Sequence, residues 1–314
     1  MTDRPALLIM QRHLAPLTAF LESQWTVYRF WEGPPLEAQA EIRALVVAGE
    51  FPLDKALIEQ LPRLQLIACF TSGYDRIDTE WCRARGLPVT HAPGVNHEDV
   101  ADHAIGLIIA ARRQIAAGDR CLRAGEWTAD SKMITPSLHG QKVGIVGLGG
   151  IGEAVARRAE ALRMTVKWWG PREKDAAWPR AASVLELAKD SDILVVACKA
   201  DESNIGLISR EVIEALGPQG LLVNVARGQL VDEDALIAAL KDGWLGQAAL
   251  DVFEAEPVDV ARWADVPNTV LTPHTGGATT EAVQGMLMLL MENLTAAFAG
   301  QPLKTPTPDQ DVSA

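Results

Sequence analysis

The sequence is poor in positive charge. Its 314 residues carry 29 Lys and Arg against 41 Asp and Glu, a formal charge of -12. Such a balance repels a phosphate backbone or an anionic bilayer, which excludes nucleic acid and membrane as main partners. Cysteine is scarce: Cys69, Cys82, Cys121 and Cys198 stand far apart, with no Cys-x-x-Cys pair. With no secretory leader read ahead of them they fit a reducing compartment, and a cytoplasmic location is expected. Long hydrophobic runs are missing as well. AIGLIIAA at 104–111 and MLMLLM at 286–291 fall far short of the roughly 18 apolar residues of a membrane span. His91, His97, His103 and His139 lack the spacing of a zinc site, so no metal is expected.

What is present is an ordinary globular composition, 48% apolar and 22% charged, in a chain long enough for two domains. Strand-like runs recur at 6–10 (ALLIM), 44–49 (ALVVAG), 64–70 (LQLIACF) and 88–94 (PVTHAPG), with helical patterns between several of them. This alternation predicts a parallel α/β unit. From Glu98 to Arg113 the residues Val100, Ala104, Leu107, Ile108 and Ala111 fall at helical spacing, predicting a connecting helix. A polar stretch at 124–141 follows. KVGIVGLGGIGEAVARRAEAL then opens a second strand-helix series, with strands expected at 192–198, 220–226, 247–253 and 269–274. The pattern from Glu281 to Phe298 is helical and is expected to fold back onto the first domain; the Pro- and Thr-rich PLKTPTPDQD at 302–311 is expected to fray.

Gly147, Gly149 and Gly152 form G-x-G-x-x-G directly after the strand VGIV and before a helix with Ile151, Val155, Ala159 and Leu162 on its inner face. In that context the glycines permit a tight turn, backbone approach to a pyrophosphate, and close helix-strand packing. The next strand should deliver an acidic residue to an adenosine ribose about twenty residues on. Here TVKWWGPREK delivers Gly170, then Pro171 and Arg172. Losing a carboxylate removes repulsion of a 2'-phosphate, and Arg172, with Lys174 as a further candidate, supplies a partner for it. NADPH is therefore the expected coenzyme, with NADH remaining open.

Three polar motifs fall at the carboxyl ends of predicted strands, where doubly wound sheets bind ligands: NVARG with Arg227, ALDVFEAEP with Asp251 and Glu256, and LTPHTGG with His274. In this order, downstream of a mid-chain glycine turn, they resemble the D-isomer-specific 2-hydroxyacid dehydrogenase family. TSGYDRID (71–78), PGVNHEDVADHAIGLIIAARR (93–113) and LISREVIEALGPQGLLVNVARG (207–228) extend the resemblance over nearly the whole chain. Within the family it is most similar to NADPH-dependent glyoxylate, hydroxypyruvate and hydroxyphenylpyruvate reductases.

The resemblance implies two doubly wound parallel-sheet domains. A Rossmann-type cofactor domain at 99–284 would be inserted in a flavodoxin-like substrate domain made of 1–98 and 285–314. It implies reduction of a small 2-oxoacid, glyoxylate or hydroxypyruvate, to the D-2-hydroxyacid. His274 would donate the proton, Glu256 would orient and charge the imidazole, and Arg227 would bind the substrate carboxylate and polarise the carbonyl. The backbone amides of Ser72 and Gly73 would serve the same carboxylate. Toward the cofactor it implies Gly147, Leu148, Gly149, Gly150, Ile151 and Gly152 at the pyrophosphate, and Gly170, Arg172, Cys198 and Lys199 at the adenosine half. Asn204 would lie near the ribose and phosphates, Val225 and Ala226 beneath the nicotinamide, and Asp251 on its carboxamide, with Arg227, His274 and Gly276 alongside. The loop ACKADESN at 197–204 departs from the family in lacking a proline, and Pro171 is unusual in the ribose loop. A homodimer is expected; Trp127 and Met133 lie in the stretch the family uses at its dimer interface, and for these two side chains local packing is the first reading and contact with a neighbouring subunit the alternative. Phe51 and Leu53 are candidates for setting pocket size.

Overall fold

Apolar runs of four to six residues, too short for helices, become strands buried on both faces, as parallel sheets require. The computed structural model describes residues 4–34 and 36–308. Residues 309–311 of the expected frayed end lie outside the described residues. The chain forms two compact units. One ends at Asn96 and resumes at Thr280; the other spans His97–Thr279. Both boundaries fall at the start of a helix, since His97–Arg112 and Thr280–Phe298 each belong wholly to one unit.

The first unit holds β1 (Ala6–Ile9), β2 (Thr26–Arg29), β3 (Ile42–Val47), β4 (Leu66–Cys69) and β5 (Val89–Thr90). They pair in parallel in the order β2-β1-β3-β4-β5, the flavodoxin-like arrangement. Side chains alternate between two faces: Leu7, Val46 and Ala68 join one core, Leu8, Leu45 and Ile67 the other. The helix Thr280–Phe298 brings Ala282, Met286, Leu290 and Leu294 to the first of these cores, each a full turn from the last. Leu294 is fully buried, and burial of such a side chain contributes about 1.5–3 kcal/mol. The tail therefore returns to the first unit, as its pattern predicts.

The second unit holds β6 (Lys142–Val146), β7 (Thr165–Trp169), β8 (Ile193–Val196), β9 (Leu221–Asn224), β10 (Gln247–Leu250) and β11 (Thr269–Leu271). The order is β11-β10-β9-β8-β6-β7, all parallel, so the chain reverses its direction of travel between β6 and β8. Such a switch point is where a Rossmann sheet binds dinucleotides. The helix His97–Arg112 packs Val100, Ala104, Leu107 and Ile108 on one face of this sheet. Its last residue, the buried Arg112, donates to Asp192 O at 2.6 Å, Gln219 O at 2.8 Å and the Gln141 and Gln247 side chains at 3.1 Å. One guanidinium thereby ties off the amino ends of several strands.

Two elements have no counterpart in the sequence expectations. β2 is an edge strand with no fully buried position, so TVYR shows no apolar run. The helix Ile115–Arg123 buries none of its residues. Trp168 is buried and Trp169 packs partly against the second core, as expected. Trp127 and Met133 are 66% and 50% exposed, so local packing covers only part of each, and Ile134 reaches 91%.

Candidate active site

The glycine turn follows β6 at the switch point. Gly147 has φ +95°, and a Cβ there would stand 2.5 Å from the Cys198 Cα, so only glycine fits between the ends of β6 and β8. A Cβ on Gly152 would stand 2.0 Å from Gly147 O, which is the close helix-strand contact the motif requires. Gly149, by contrast, opens on free space and caps the helix Gly150–Ala161 with no side-chain bond, leaving its first amides to an anion. This cradle fits the pyrophosphate of a dinucleotide.

At the end of β7 the backbone of Gly170 is buried, and a Cβ would stand 3.1 Å from the Trp168 ring. Arg172 is exposed and makes no hydrogen bond or ion pair among the described residues. Lys174 is already occupied: it pairs with Glu153 and donates to Leu148 O at 3.0 Å. After β8, burial pushes the Cys198 thiol up to about 11, keeping it neutral. The loop that follows needs no proline because Asn204 closes it, donating to Lys199 O at 2.8 Å and accepting from Asp201 N at 2.9 Å. Asn204 thus stabilises the loop in a reciprocal capping box with Asp201.

The ends of β9, β10 and β11 assemble the polar trio. Buried Asn224 accepts from Ala226 N at 3.0 Å and donates to Arg227 O at 2.9 Å, shaping the Val225–Ala226–Arg227 turn. At Gly228 a Cβ would stand 1.8 Å from the Phe253 carbonyl carbon. Only glycine lets this turn lie against the Phe253–Glu256 loop. Glu256 Oε1 accepts from Phe253 N at 2.9 Å, and Oε2 lies 2.6 Å from His274 Nδ1. The carboxylate hydrogen bond raises the His274 pKa above its ordinary value against the opposing effect of burial, with the Glu256 charge adding and the Arg227 charge subtracting. For Glu256, burial pushes the pKa up, but the bonds from His274 and Phe253 and the charges of His274 and Arg227 outweigh it, and the net shift is downward. The pair is poised as imidazolium and carboxylate, with Nε2 of His274 available to a reacting oxygen.

His274 itself has φ +53°, the left-handed region that costs a non-glycine residue roughly 1–2 kcal/mol. Asp251 holds it there. Its carbonyl accepts from His274 N at 2.9 Å, Oδ1 from Thr272 Oγ1 at 2.6 Å and Thr275 N at 2.9 Å, and Oδ2 from Gly276 N at 2.8 Å. Behind Thr272 stands His103 of the helix His97–Arg112, its Nε2 2.9 Å from Thr272 Oγ1 and 3.2 Å from Asp251 Oδ1. The threonine proton goes to Asp251, so His103 donates through Nε2.

In the first unit, the Ser72 hydroxyl donates to Ala92 O at 2.5 Å, and Thr71 Oγ1 donates to Gly73 O at 2.9 Å. The Ser72 and Gly73 amides have no acceptor among the described residues. Gly49 carries the turn: a Cβ there would stand 1.9 Å from Gly73 O. Phe51 is 42% exposed and lies against His13, and Leu53 packs partly on a core.

Comparison with known proteins agrees with this geometry. Residues 105–276 match the profile of the D-isomer specific 2-hydroxyacid dehydrogenase, NAD binding domain. The chain belongs to this family. It is 42% identical over 303 residues to hydroxyphenylpyruvate reductase of Plectranthus scutellarioides, covering 93% of this chain and 97% of that protein. It is 41% identical, with the same coverage, to glyoxylate/hydroxypyruvate reductase A of Arabidopsis thaliana. Among solved structures, the NADPH-dependent glyoxylate/hydroxypyruvate reductase of Sinorhizobium meliloti in complex with NADP and malonate superposes with a TM-score of 0.90. That pair shares 32% identity over 98% of each chain. This 2-hydroxyacid dehydrogenase is therefore an oxidoreductase with a nicotinamide-dinucleotide domain, and the turn at Gly147–Gly152 lies within the matched residues. Among the described residues, no helix of the dehydrogenase is long and apolar enough to cross a membrane.

Proposed function

We propose that the enzyme reduces a small 2-oxoacid, glyoxylate or hydroxypyruvate, to the D-2-hydroxyacid with NADPH. The observation that carries this reading is the His274–Glu256 pair, Nδ1 to Oε2 at 2.6 Å, with its raised imidazole and lowered carboxylate pKa. The bound nicotinamide supplies a hydride to the keto carbon. As negative charge grows on the keto oxygen, His274 gives it the proton from Nε2, and Glu256 stabilises the imidazolium until then. Arg227 holds the substrate carboxylate in a charge-assisted fork. When bound, the dinucleotide would be held by the amides at Gly149–Gly152, with Val225 and Ala226 on the nicotinamide side and Asp251 and Gly276 toward its carboxamide; Asp251 Oδ2, which accepts from Gly276 N, could take a further donor. Cys198, Lys199 and Asn204 border its adenosine half.

The NADPH preference is supported by Gly170, which removes the ribose carboxylate, and by Arg172, which has no hydrogen-bond or ion-pair partner among the described residues. NADH remains a second coenzyme of the same site. The homodimer reading is supported by the exposed Ile115, Leu122, Trp127, Met133 and Ile134. A cytoplasmic location is supported by four cysteines that are all free thiols. The test is a spectrophotometric screen of glyoxylate, hydroxypyruvate, pyruvate, phenylpyruvate and hydroxyphenylpyruvate with NADPH and NADH, on wild type and His274→Ala. Oxidation of NADPH by glyoxylate or hydroxypyruvate, reduced at least roughly hundredfold in the variant, is expected. Near-normal turnover in His274→Ala would refute the proton donor.

A further inference from the structure

The coenzyme reading leaves a cation unassigned at the end of β7. We infer that Arg180, ten residues beyond Gly170, is the principal residue gripping the 2'-phosphate of NADPH, with Arg172 in a subsidiary role. The inference rests on the NADPH reading above and names the residue that would produce it.

Backbone pairing puts Arg180 there. Trp168 N donates to Pro179 O at 3.0 Å and Ala181 N to Trp168 O at 2.7 Å, so residue 180 runs beside β7 as a parallel bridge partner of Trp168. From this position Nη2 donates to Gly170 O at 2.7 Å, and the guanidinium lies over the Trp168 ring, 5.8 Å from its centroid. The phosphate turn is one residue away, since Gly147 N donates to Trp169 O at 2.8 Å. The carbonyl that Arg180 caps thus belongs to the residue standing where the ribose carboxylate is expected.

The guanidinium is anchored but unsaturated. Of its five N–H groups only the one on Gly170 O makes a hydrogen bond among the described residues. Its nearest carboxylate, Glu173 Oε1, is 3.9 Å from Nη1, beyond hydrogen-bond range, and the Glu173 side chain is 95% exposed. A shallow cavity, largely open to solvent, lies here between Glu173, Lys174, Asp175 and Arg180. Lys174 is neutralised by Glu153. The two acids that share the cavity oppose an anion, which sets a limit on affinity but leaves Arg180 as its half-buried cation without a bonded carboxylate. Arg172 offers the same charge from an exposed bend, where ordering it on a ligand costs side-chain entropy that Arg180, already held by Gly170 O and Trp168, does not lose again.

The experiment is calorimetric titration with adenosine 2',5'-bisphosphate and with AMP, on wild type, Arg180→Gln, Arg180→Lys and Arg172→Gln. The NADPH-to-NADH ratio of kcat/KM is measured on the same preparations. Wild type is expected to bind the bisphosphate at least about tenfold tighter than AMP. Arg180→Gln should lose about 10- to 100-fold on the bisphosphate with AMP affinity within about twofold of wild type; Arg180→Lys should recover part of it, and Arg172→Gln should lose less. A bisphosphate-over-AMP ratio that survives Arg180→Gln overturns this inference while the coenzyme reading stands. An equal loss of AMP affinity overturns it too, in favour of a structural role. A wild type that ranks the two ligands and the two coenzymes equally overturns the NADPH reading itself, and this inference with it.

Discussion

Replacing Glu256 by Gln keeps an acceptor 2.6 Å from His274 Nδ1 but removes the charge. In the native enzyme the carboxylate raises the imidazole pKa above its ordinary 6.5 while burial and the Arg227 charge push it down. With the carboxylate gone, burial and the Arg227 charge are opposed only by the Asp251 charge, so the variant imidazole should titrate below the native one. At a pH above both midpoints each unit of lowering cuts the protonated fraction about tenfold, and reduction should fall with it. Any loss of ring orientation adds to this. At a pH below both midpoints the two imidazoles are equally protonated, and most of the loss should disappear. On the proposed donor role reduction needs imidazolium, so the native profile should extend to higher pH and the variant's should break earlier. The assay is the rate of reduced-nucleotide consumption at saturating 2-oxoacid across this range. A variant whose profile breaks at the native midpoint, merely scaled down, would refute the electrostatic part of the argument and leave Glu256 a positioning role only.

Arg227→Lys retains charge but not the planar fork, so KM for the 2-oxoacid should rise about tenfold or more, with a smaller change in kcat; steady-state kinetics at fixed NADPH would check it, and an unchanged KM would remove Arg227 from the carboxylate. Sedimentation should find the native protein dimeric, and the double change Trp127→Glu with Ile134→Glu, at side chains 66% and 91% exposed, should make it monomeric without altering its circular dichroism. A native monomer would end the homodimer reading.

Much of the fold was legible because parallel strands covered on both faces read as unbroken apolar runs: LLVN at β9 and ILVV at β8 are buried at every position. β2 was not legible, since an edge strand reading TVYR leaves all four residues at least partly exposed. The site was legible where chemistry is local to a motif. Gly147 and Gly152 announce a tight strand-to-helix turn by their spacing, and Arg227, Glu256 and His274 stand after strands, as their motifs place them. Their supports are distant. His103 meets Thr272 across 169 positions, and nothing in the helical pattern VADHAIGL marks its imidazole as the residue behind Asp251. Gly228 reads as half of an ordinary Arg-Gly turn until the Phe253 backbone is seen against it. Arg180 was equally hidden, because the length of the loop after β7 does not say that the chain turns back beside Trp168.

The left-handed backbone at His274 sets an order of failure. A segment held in a disfavoured conformation by one aspartate opens more readily than the sheet beneath it. Warming or mild denaturant would let residues 272–276 relax first, swinging the imidazole off target while the strands remain intact. Loss of turnover would then precede any spectroscopic sign of melting, and recovery on cooling would be complete so long as the cores had not parted.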